Sequence, residues 1–281
     1  MNGGALVGPA VAPELHVMSF NIRRRMTRVS SRSPDLWSTR RPAMRRLLST
    51  ELPTILGVQE ALPDQAQFVS ASLGDNYRRL GRGREADRRG EGCPIFFDRR
   101  RLALDSWTQL ALSETPEVPG SRSWGNFVPR MVVVARFTDR TTGRKLLFLN
   151  THFDHISRLA RIRSARLVAG LVRDAGVPVV VTGDFNTSVD TLPYKELTVN
   201  GPLADTWFSA GLQLTENWGS FPNYRAPKLE RKRIDWVLAT RDVAVRSAAI
   251  NPARHEGIAA SDHLPVSALL TLPASLASSA T

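Results

Sequence analysis

The sequence predicts a layered α/β or α+β domain, and three observations predict it. Strand-like apolar segments are numerous and alternate along the chain with a few amphipathic helical ones. Neither a linker nor a tandem repeat divides them. With 281 residues, 42% of them hydrophobic, the chain can bury one large core or at most two modest ones. The folded domain is expected over residues 14–273, with flexible tails at 1–13 and at the Ala/Ser-rich end, 274–281.

Taken in order, residues 15–20 alternate in polarity and read as a strand ending at Asn21. Thr39 is a candidate cap for a helix from Pro42 to about Leu52, because proline suits a first helical turn. Residues 55–60 form a short apolar run that ends in the carboxylate of Glu60. Further strands are expected at 94–97, 131–137 and 146–150. Over 159–172, Leu159, Ile162, Ala165, Ala169 and Val172 recur at helical spacing, with Arg158, Arg161 and Arg173 off the stripe. Residues 178–181 make a buried-type strand running into Gly183 and Asp184, and segments 234–239, 244–250 and 264–272 complete the set.

Composition narrows the function classes. Cys93 is the one cysteine, which excludes a disulfide-stapled secreted scaffold. The first 15 residues have no basic start and no long apolar run, and Gly3, Gly4, Pro9 and Pro13 interrupt them, so they do not read as a signal peptide. No stretch approaches the roughly 20 apolar residues of a membrane-spanning helix. The default expectation is a soluble cytoplasmic protein with no obligate protein partner. A net charge of +12 points toward polyanionic partners. Yet 34 of the 38 basic residues are arginine, a skew that a GC-rich genome also produces. The arginines cluster at 23–25, 40–41, 45–46, 78–89, 99–101 and 231–233, either as a phosphate-binding surface or as solvated charge.

The chemistry lies at the strand ends. Asn21, Glu60, His152, Asp184, Asn186, Asp235, Asp262 and His263 each follow or interrupt a β-like run. Singly, each has an ordinary reading: Asn21 as a turn residue, Asp184 with Asn186 as an Asx-turn, Asp235 as a partner of Arg233. Together they offer oxygen ligands for a hard cation such as Mg²⁺ or Mn²⁺, histidines for proton transfer, and amides that orient a phosphate. No Cys/His spacing indicates zinc.

Six segments carry a resemblance: Ser-Phe-Asn-Ile at 19–22, Val-Gln-Glu at 58–60, Asn-Thr-His-Phe-Asp-His at 150–155, Thr-Gly-Asp-Phe-Asn at 182–186, Arg-Ile-Asp-Trp-Val at 233–237 and Ser-Asp-His-Leu-Pro-Val at 261–266. In this order, over about residues 15–273, the sequence resembles the endonuclease/exonuclease/phosphatase superfamily. Residues 112–116, 119–121 and Trp124 look like a bacterial subgroup of that superfamily whose substrate is undefined. The resemblance implies a four-layer αββα sandwich, two packed mixed β-sheets flanked by helices, with the site at one end between the sheets. It also implies hydrolysis of a phosphodiester or phosphomonoester by in-line attack of water, with Mg²⁺ or Mn²⁺ as cofactor.

Carried over position by position, Glu60 is the principal metal ligand, with Asn21 and Asp262 as its helpers. Asp184 orients or deprotonates the water, Asn186 binds the phosphate, and His152 donates to a phosphate oxygen. His263 sits beside the scissile phosphate, held by Asp235 as in other His–Asp pairs. Whether Asp184 or His263 is the base stays open, as does the number of metals. Arg130, just before a strand, is a candidate phosphate clamp, and His155, with Asp154, a candidate lining residue. The subgroup usually has a tyrosine where this chain has Phe97. Cys93 reads as a packed small residue. Trp107, Trp124, Trp207, Trp218 and Trp236 read mainly as core, with Trp124 and Trp218 as possible exceptions in polar loops. The substrate is either nucleic acid or a small phosphorylated metabolite or lipid headgroup. The competing reading is a catalytically inactive phosphate- or nucleic-acid-binding protein of the same fold.

Overall fold

A computed structural model describes residues 4–229 and 231–274. The described elements run β1 (Glu14–Asn21), α1 (Trp37–Glu51), β2 (Ile55–Gln59), α2 (Pro63–Leu73), β3 (Tyr77–Leu80), β4 (Ile95–Asp98), β5 (Leu102–Ala111), β6 (Met131–Asp139), β7 (Lys145–His152) and α3 (Arg158–Arg173). They continue with β8 (Val179–Asp184), α4 (Leu192–Leu197), β9 (Leu203–Asp205), α5 (Thr206–Ser209), β10 (Leu212–Gln213), β11 (Asp235–Thr240), β12 (Ala244–Ile250), β13 (Arg254–His255), β14 (Ile258–Ala259) and β15 (Val266–Thr271).

Two mixed sheets form, in the orders β10-β12-β15-β1-β2-β4-β3 and β5-β6-β7-β8-β11-β9. Strand periodicity sends alternate side chains to opposite faces, and both faces of each sheet are covered. Leu15 and Val17 of β1, Ile55 of β2, Phe148 of β7, Val180 of β8 and Val237 of β11 meet in the core between the sheets. Met18, Phe20, Leu56 and Val58 face outward onto Met44 and Leu48 of α1 and Val69 of α2. Leu147, Leu149, Val179, Val181 and Leu238 face outward onto Val168 of α3 and Leu197 of α4. The result is the four-layer αββα sandwich.

The same alternation explains why the polar residues collect at one end. Asn21 shares a face with Val17, His152 with Phe148, Asp184 with Val180, and Asp235 with Val237, so all four point between the sheets where the apolar filling stops. Just beneath them lies a buried polar layer. The Asn150 Oδ1 accepts from Gln59 Nε2 at 2.7 Å and Thr182 Oγ1 at 3.0 Å, while its Nδ2 reaches the Val58 carbonyl at 2.8 Å and the Cys93 carbonyl at 3.0 Å. This amide ties β2 and the chain leading into β4 of one sheet to β7 and β8 of the other. A Cβ on Gly57 would stand 2.1 Å from Thr182 Oγ1 and 2.5 Å from Asn150 Oδ1, so glycine is what lets the sheets meet here. Asn150→Leu orphans several buried polar groups, each worth about 1–3 kcal/mol. We expect it to lower unfolding stability in urea by about 3 kcal/mol or more; a change below about 1 kcal/mol would mean the layer is not a structural tie.

Several elements differ from the sequence reading. Helix α1 begins at Trp37, without a side-chain cap, so Pro42 lies inside it and leaves one backbone acceptor unpaired instead of opening the helix. The buried face of α3 runs through Ala160, Ser164, Ala165, Val168, Ala169 and Val172, and Leu159 is exposed. Small side chains let the helix lie close to its sheet, and Ser157 caps it by accepting from Ala160 N at 3.1 Å. Of the stretch expected to be a tail at 1–13, Leu6, Val7 and Gly8 donate their backbone N–H groups to the buried Glu51 carboxylate at 2.8–3.1 Å. Of the expected tail at 274–281, only Ala274 is described. Among the described residues no helix is long and apolar enough to cross a membrane.

Candidate active site

Strands β7 and β8 pair in parallel with His152 opposite Asp184, and β11 pairs antiparallel to β8 with Asp235 opposite Asp184. Two carboxylates facing across an antiparallel pair repel. Asp235 is fully buried, and burial together with its charge raises Asp184 to about 7. What offsets the repulsion is His263. Its Nδ1 donates to Asp235 Oδ2 at 2.9 Å, and its Nε2 points to Asp184 Oδ2 at 3.8 Å. Burial by itself would lower the His263 imidazolium, but the charges of Asp235 and Asp184 outweigh it and hold the ring up at about 10. At neutral pH the ring is therefore a buried cation held by Asp235, with the raised carboxyl of Asp184 on its other side. Asp235 Oδ1 has no hydrogen-bond partner, which a structural carboxylate would ordinarily find.

Asn21 joins this group from the other sheet. Its Nδ2 lies 2.9 Å from Asp184 Oδ2, 3.0 Å from Glu60 Oε1 and 3.4 Å from His263 Nε2. Glu60 follows β2 in a left-handed conformation, φ 62°, rare for a residue with a side chain. Burial would raise its carboxyl, but hydrogen bonds from Asn21 and from the Arg24 backbone hold it below the usual range. Asn186, also left-handed at φ 50°, donates its backbone N–H to Asp184 Oδ1 at 2.9 Å, while its Nδ2 reaches His152 Nε2 at 3.0 Å. Burial, with Arg130 and Arg84 nearby, keeps His152 well below its ordinary pKa and hence neutral.

Ligand atoms of Glu60, His152 and Asp184 lie within 4.8 Å of one another, close enough for one cation. Two carboxylates with a buried imidazole fit a divalent ion, and the oxygens favour a hard one. The expected helper Asn21 touches both carboxylates of this group. Asp262 stands off it: its carboxylate accepts from Ser261 Oγ at 3.1 Å and lies 3.7 Å from Arg23 Nε.

Arg130 is buried, donating to Asp154 Oδ2 at 3.4 Å and to His155 Nδ1 at 2.8 Å, and it lines a small cleft with Glu60 and His152. His155 is exposed and borders the site only through Arg130. Asp154 also shapes the turn into α3, accepting from the backbone of Ile156 and Ser157. Phe97 packs against Phe137 in the core between the sheets, 4.8 Å between ring centroids, and Cys93 is buried with its thiol pushed up to about 12. Trp236 and Trp207 are buried core residues and Trp218 packs against the core, whereas Trp107 is 37% exposed and Trp124 donates to Glu114.

The sequence reading missed four contributors. Arg84 lines the cleft beside Arg130, and Glu91 accepts from both Arg84 and Arg24 at 2.8–2.9 Å. Arg40, fully buried, donates to the carbonyls of Ile22, Arg23 and Ala260 and so fixes the loops carrying Asn21 and Asp262. Phe221 lays its ring 4.7 Å from that of His263. Arg84 and Arg40 were visible only as members of arginine clusters; nothing local marks Glu91 or Phe221.

A model of the Endonuclease/Exonuclease/phosphatase family matches residues 18–263. Among solved structures, an endonuclease/exonuclease/phosphatase from Bacteroides vulgatus is 30% identical, with TM-score 0.85, covering 92% of this chain and 99% of that one. A mannosyl-6-phosphatase of Bacteroides thetaiotaomicron is 29% identical, with TM-score 0.84 and the same coverage of 92% and 99%. No curated protein matches the sequence.

Proposed function

The chain belongs to the endonuclease/exonuclease/phosphatase family, whose members are phosphoesterases, and from that premise we propose that it hydrolyses a phosphoester by in-line attack of an activated water with Mg²⁺ or Mn²⁺ as cofactor. The observation that carries this reading is the facing pair Asp184 and Asp235 with the His263 imidazole between them, beside the Glu60 carboxylate. A fold with no chemistry to perform gains nothing from two opposed buried carboxylates.

Glu60 would hold the cation, which supplies charge neutralisation at the phosphoryl oxygens when bound. Asp184, held by hydrogen bonds from the Asn21 side chain and the Asn186 backbone, accepts the proton of the attacking water. His263, a cation fixed by Asp235, donates to the phosphoryl group as negative charge grows on it. Asn186 and His152 orient the phosphate from the side of β7. These roles favour Asp184 over His263 as the base.

The charge pattern supports a small phosphorylated substrate over a polynucleotide. Arg23 pairs with Asp35, Arg24 with Glu91, Arg25 with Asp64 and Arg233 with Asp205, so the arginines nearest the site are engaged by carboxylates of this chain. The similarity to a mannosyl-6-phosphatase supports the same direction. The test is turnover of 4-nitrophenyl phosphate and bis(4-nitrophenyl) phosphate with Mg²⁺, with Mn²⁺ and with EDTA. We expect release of nitrophenol that EDTA abolishes and added metal restores. Folded protein that binds phosphate yet turns over neither ester with either metal would instead favour an inactive binding protein.

A further inference from the structure

A fully buried arginine is ordinarily paired with a carboxylate, as Arg233 is with Asp205. Arg40 is different. Helix α1 sets its guanidinium, fully buried, against the loop that follows β1, and among the described residues every hydrogen bond it makes goes to a backbone carbonyl. Nη1 donates to Ile22 O at 2.7 Å and to Ala260 O at 3.4 Å. Nη2 donates to Arg23 O and, at 3.3 Å, to Arg24 O, while Nε donates to Asp35 O at 3.3 Å. The Asp35 carboxylate stays 3.7 Å from Nε and accepts from Arg23 and Tyr224 instead. All five donors of this cation are thus committed to peptide groups.

A carbonyl shares its planar peptide unit with the N–H of the next residue. Ile22 O belongs with Arg23 N, and Arg23 O with Arg24 N. Those two N–H groups are the ones turned to the site: Arg23 N donates to Asn21 Oδ1 at 2.9 Å, and Arg24 N to Glu60 Oε2 at 3.0 Å. The first bond decides which way the Asn21 amide faces, sending Nδ2 to Asp184 Oδ2 at 2.9 Å and Glu60 Oε1 at 3.0 Å. A charged donor on a carbonyl polarises the peptide and strengthens the bond its N–H gives. Arg23 also stands at φ 53°, a left-handed conformation that a residue with a side chain keeps only where its surroundings impose it. The Arg40 bonds to the carbonyls of 22, 23 and 24 impose it. Ala260, the acceptor from the other loop, is followed by Ser261, whose Oγ donates to Asn21 O at 2.7 Å.

We propose that Arg40 is a positioning residue for the metal carboxylate: through the peptide units 22–23 and 23–24 it holds Glu60 Oε2 and the Asn21 amide in the arrangement that receives the cation. The inference rests on the phosphoesterase reading above, in which Glu60 holds that cation, and adds the group that holds Glu60. It differs from a purely structural role in what it changes. General destabilisation lowers the folded fraction and leaves the affinity of folded molecules alone, whereas loss of the Arg40 bonds lowers the affinity of the folded molecules themselves.

The experiment titrates Mn²⁺ calorimetrically into the parent, Arg40→Met, Arg40→Lys and Leu48→Ala, and follows hydrogen exchange at the Arg23 and Arg24 amides. Leu48 is buried on the same helix, and its truncation destabilises the protein while leaving every hydrogen bond above in place. Arg40→Met should weaken Mn²⁺ binding at least about 10-fold, the low end of the range for groups that support a ligand. Arg40→Lys should recover part of the affinity, since it keeps the charge and loses the fork. Leu48→Ala should melt earlier and bind Mn²⁺ as the parent does. The Arg23 and Arg24 amides should lose protection in Arg40→Met and keep it in Leu48→Ala. Parental affinity in folded Arg40→Met, or an equal loss in Leu48→Ala, overturns the proposal. If Arg40→Met does not fold, Arg40→Lys carries the same comparison. The parent alone supplies a further check, because Arg23 and Arg24 amides that exchange there as fast as an unstructured chain refute the relay. A parent that binds Mn²⁺ yet turns over neither 4-nitrophenyl phosphate nor its bis-ester ends the phosphoesterase reading and leaves the affinity comparison to decide this one.

Discussion

Asp184→Asn is expected to lower kcat by about 10²–10⁴, the range for removing a general base or a preorganised charge, while the protein stays folded. The fold should tolerate it well. Asp184 faces Asp235 directly and is raised to about 7 by burial and by that neighbour, so a neutral amide relieves a repulsion. Loss of activity with undiminished thermal stability is therefore the signature. His263→Ala is expected to lose kcat on the same scale but to melt earlier, because it leaves the two carboxylates facing each other with no cation between them. Steady-state kinetics beside melting curves separates the two behaviours. A folded Asp184→Asn enzyme with near-parental kcat would end the assignment of Asp184 as base.

The second large effect is on metal. Glu60→Gln keeps shape and backbone and removes the charge, so we expect divalent-cation affinity to fall by at least about 100-fold, no less than the 10–100-fold seen for groups that merely support a ligand. The amide keeps one acceptor oxygen, so it can retain only one of the two hydrogen bonds that the carboxylate accepts from Asn21 and from the Arg24 backbone, and the loop after β1 should loosen. Calorimetric titration of Mg²⁺ and Mn²⁺ into the parent and the variant measures the difference directly. Equal affinities would remove Glu60 from the metal site, and activity at very high metal concentration in the variant would locate the defect in binding alone.

What was legible in the sequence is what short-range pattern encodes. Strands buried on both faces read as apolar runs, so β1, β2, β4, β7, β8 and β11 were found, and the polar residues ending several of them stood out. Strand β5 was not found because it is an edge strand whose middle residues, Leu104 to Thr108, are exposed and of mixed polarity. Helix α2 was missed in a stretch with a weak apolar stripe that opens on Pro63. At the site, the amide and carboxylate positions were readable from motif order. Their partners were not, because each depends on distant chain: Glu91 meets Arg24 across 67 residues, and Ser220 accepts from the backbone of Ile234 and Asp235. The arginine clusters show the limit most sharply. Their count suggested a nucleic-acid surface, but the carboxylates that engage Arg23, Arg24 and Arg233 are separated from them in sequence and become neighbours only in the fold.

Strand β15 lies between β12 and β1 and pairs antiparallel with both, although it follows every other described strand along the chain. A ribosome releases the chain from its N-terminal side at about 5–20 residues per second. Until 266–271 emerge, the first sheet has a vacant central slot, with β12 and β1 both presenting open edges to other chains. Asp262 and His263 leave the tunnel only moments before that slot is filled. The newborn molecule is thus at its most aggregation-prone just before it can become active, and one event, the insertion of β15, ends both conditions. Stalling or early termination in this stretch should yield insoluble protein in preference to soluble, inactive protein.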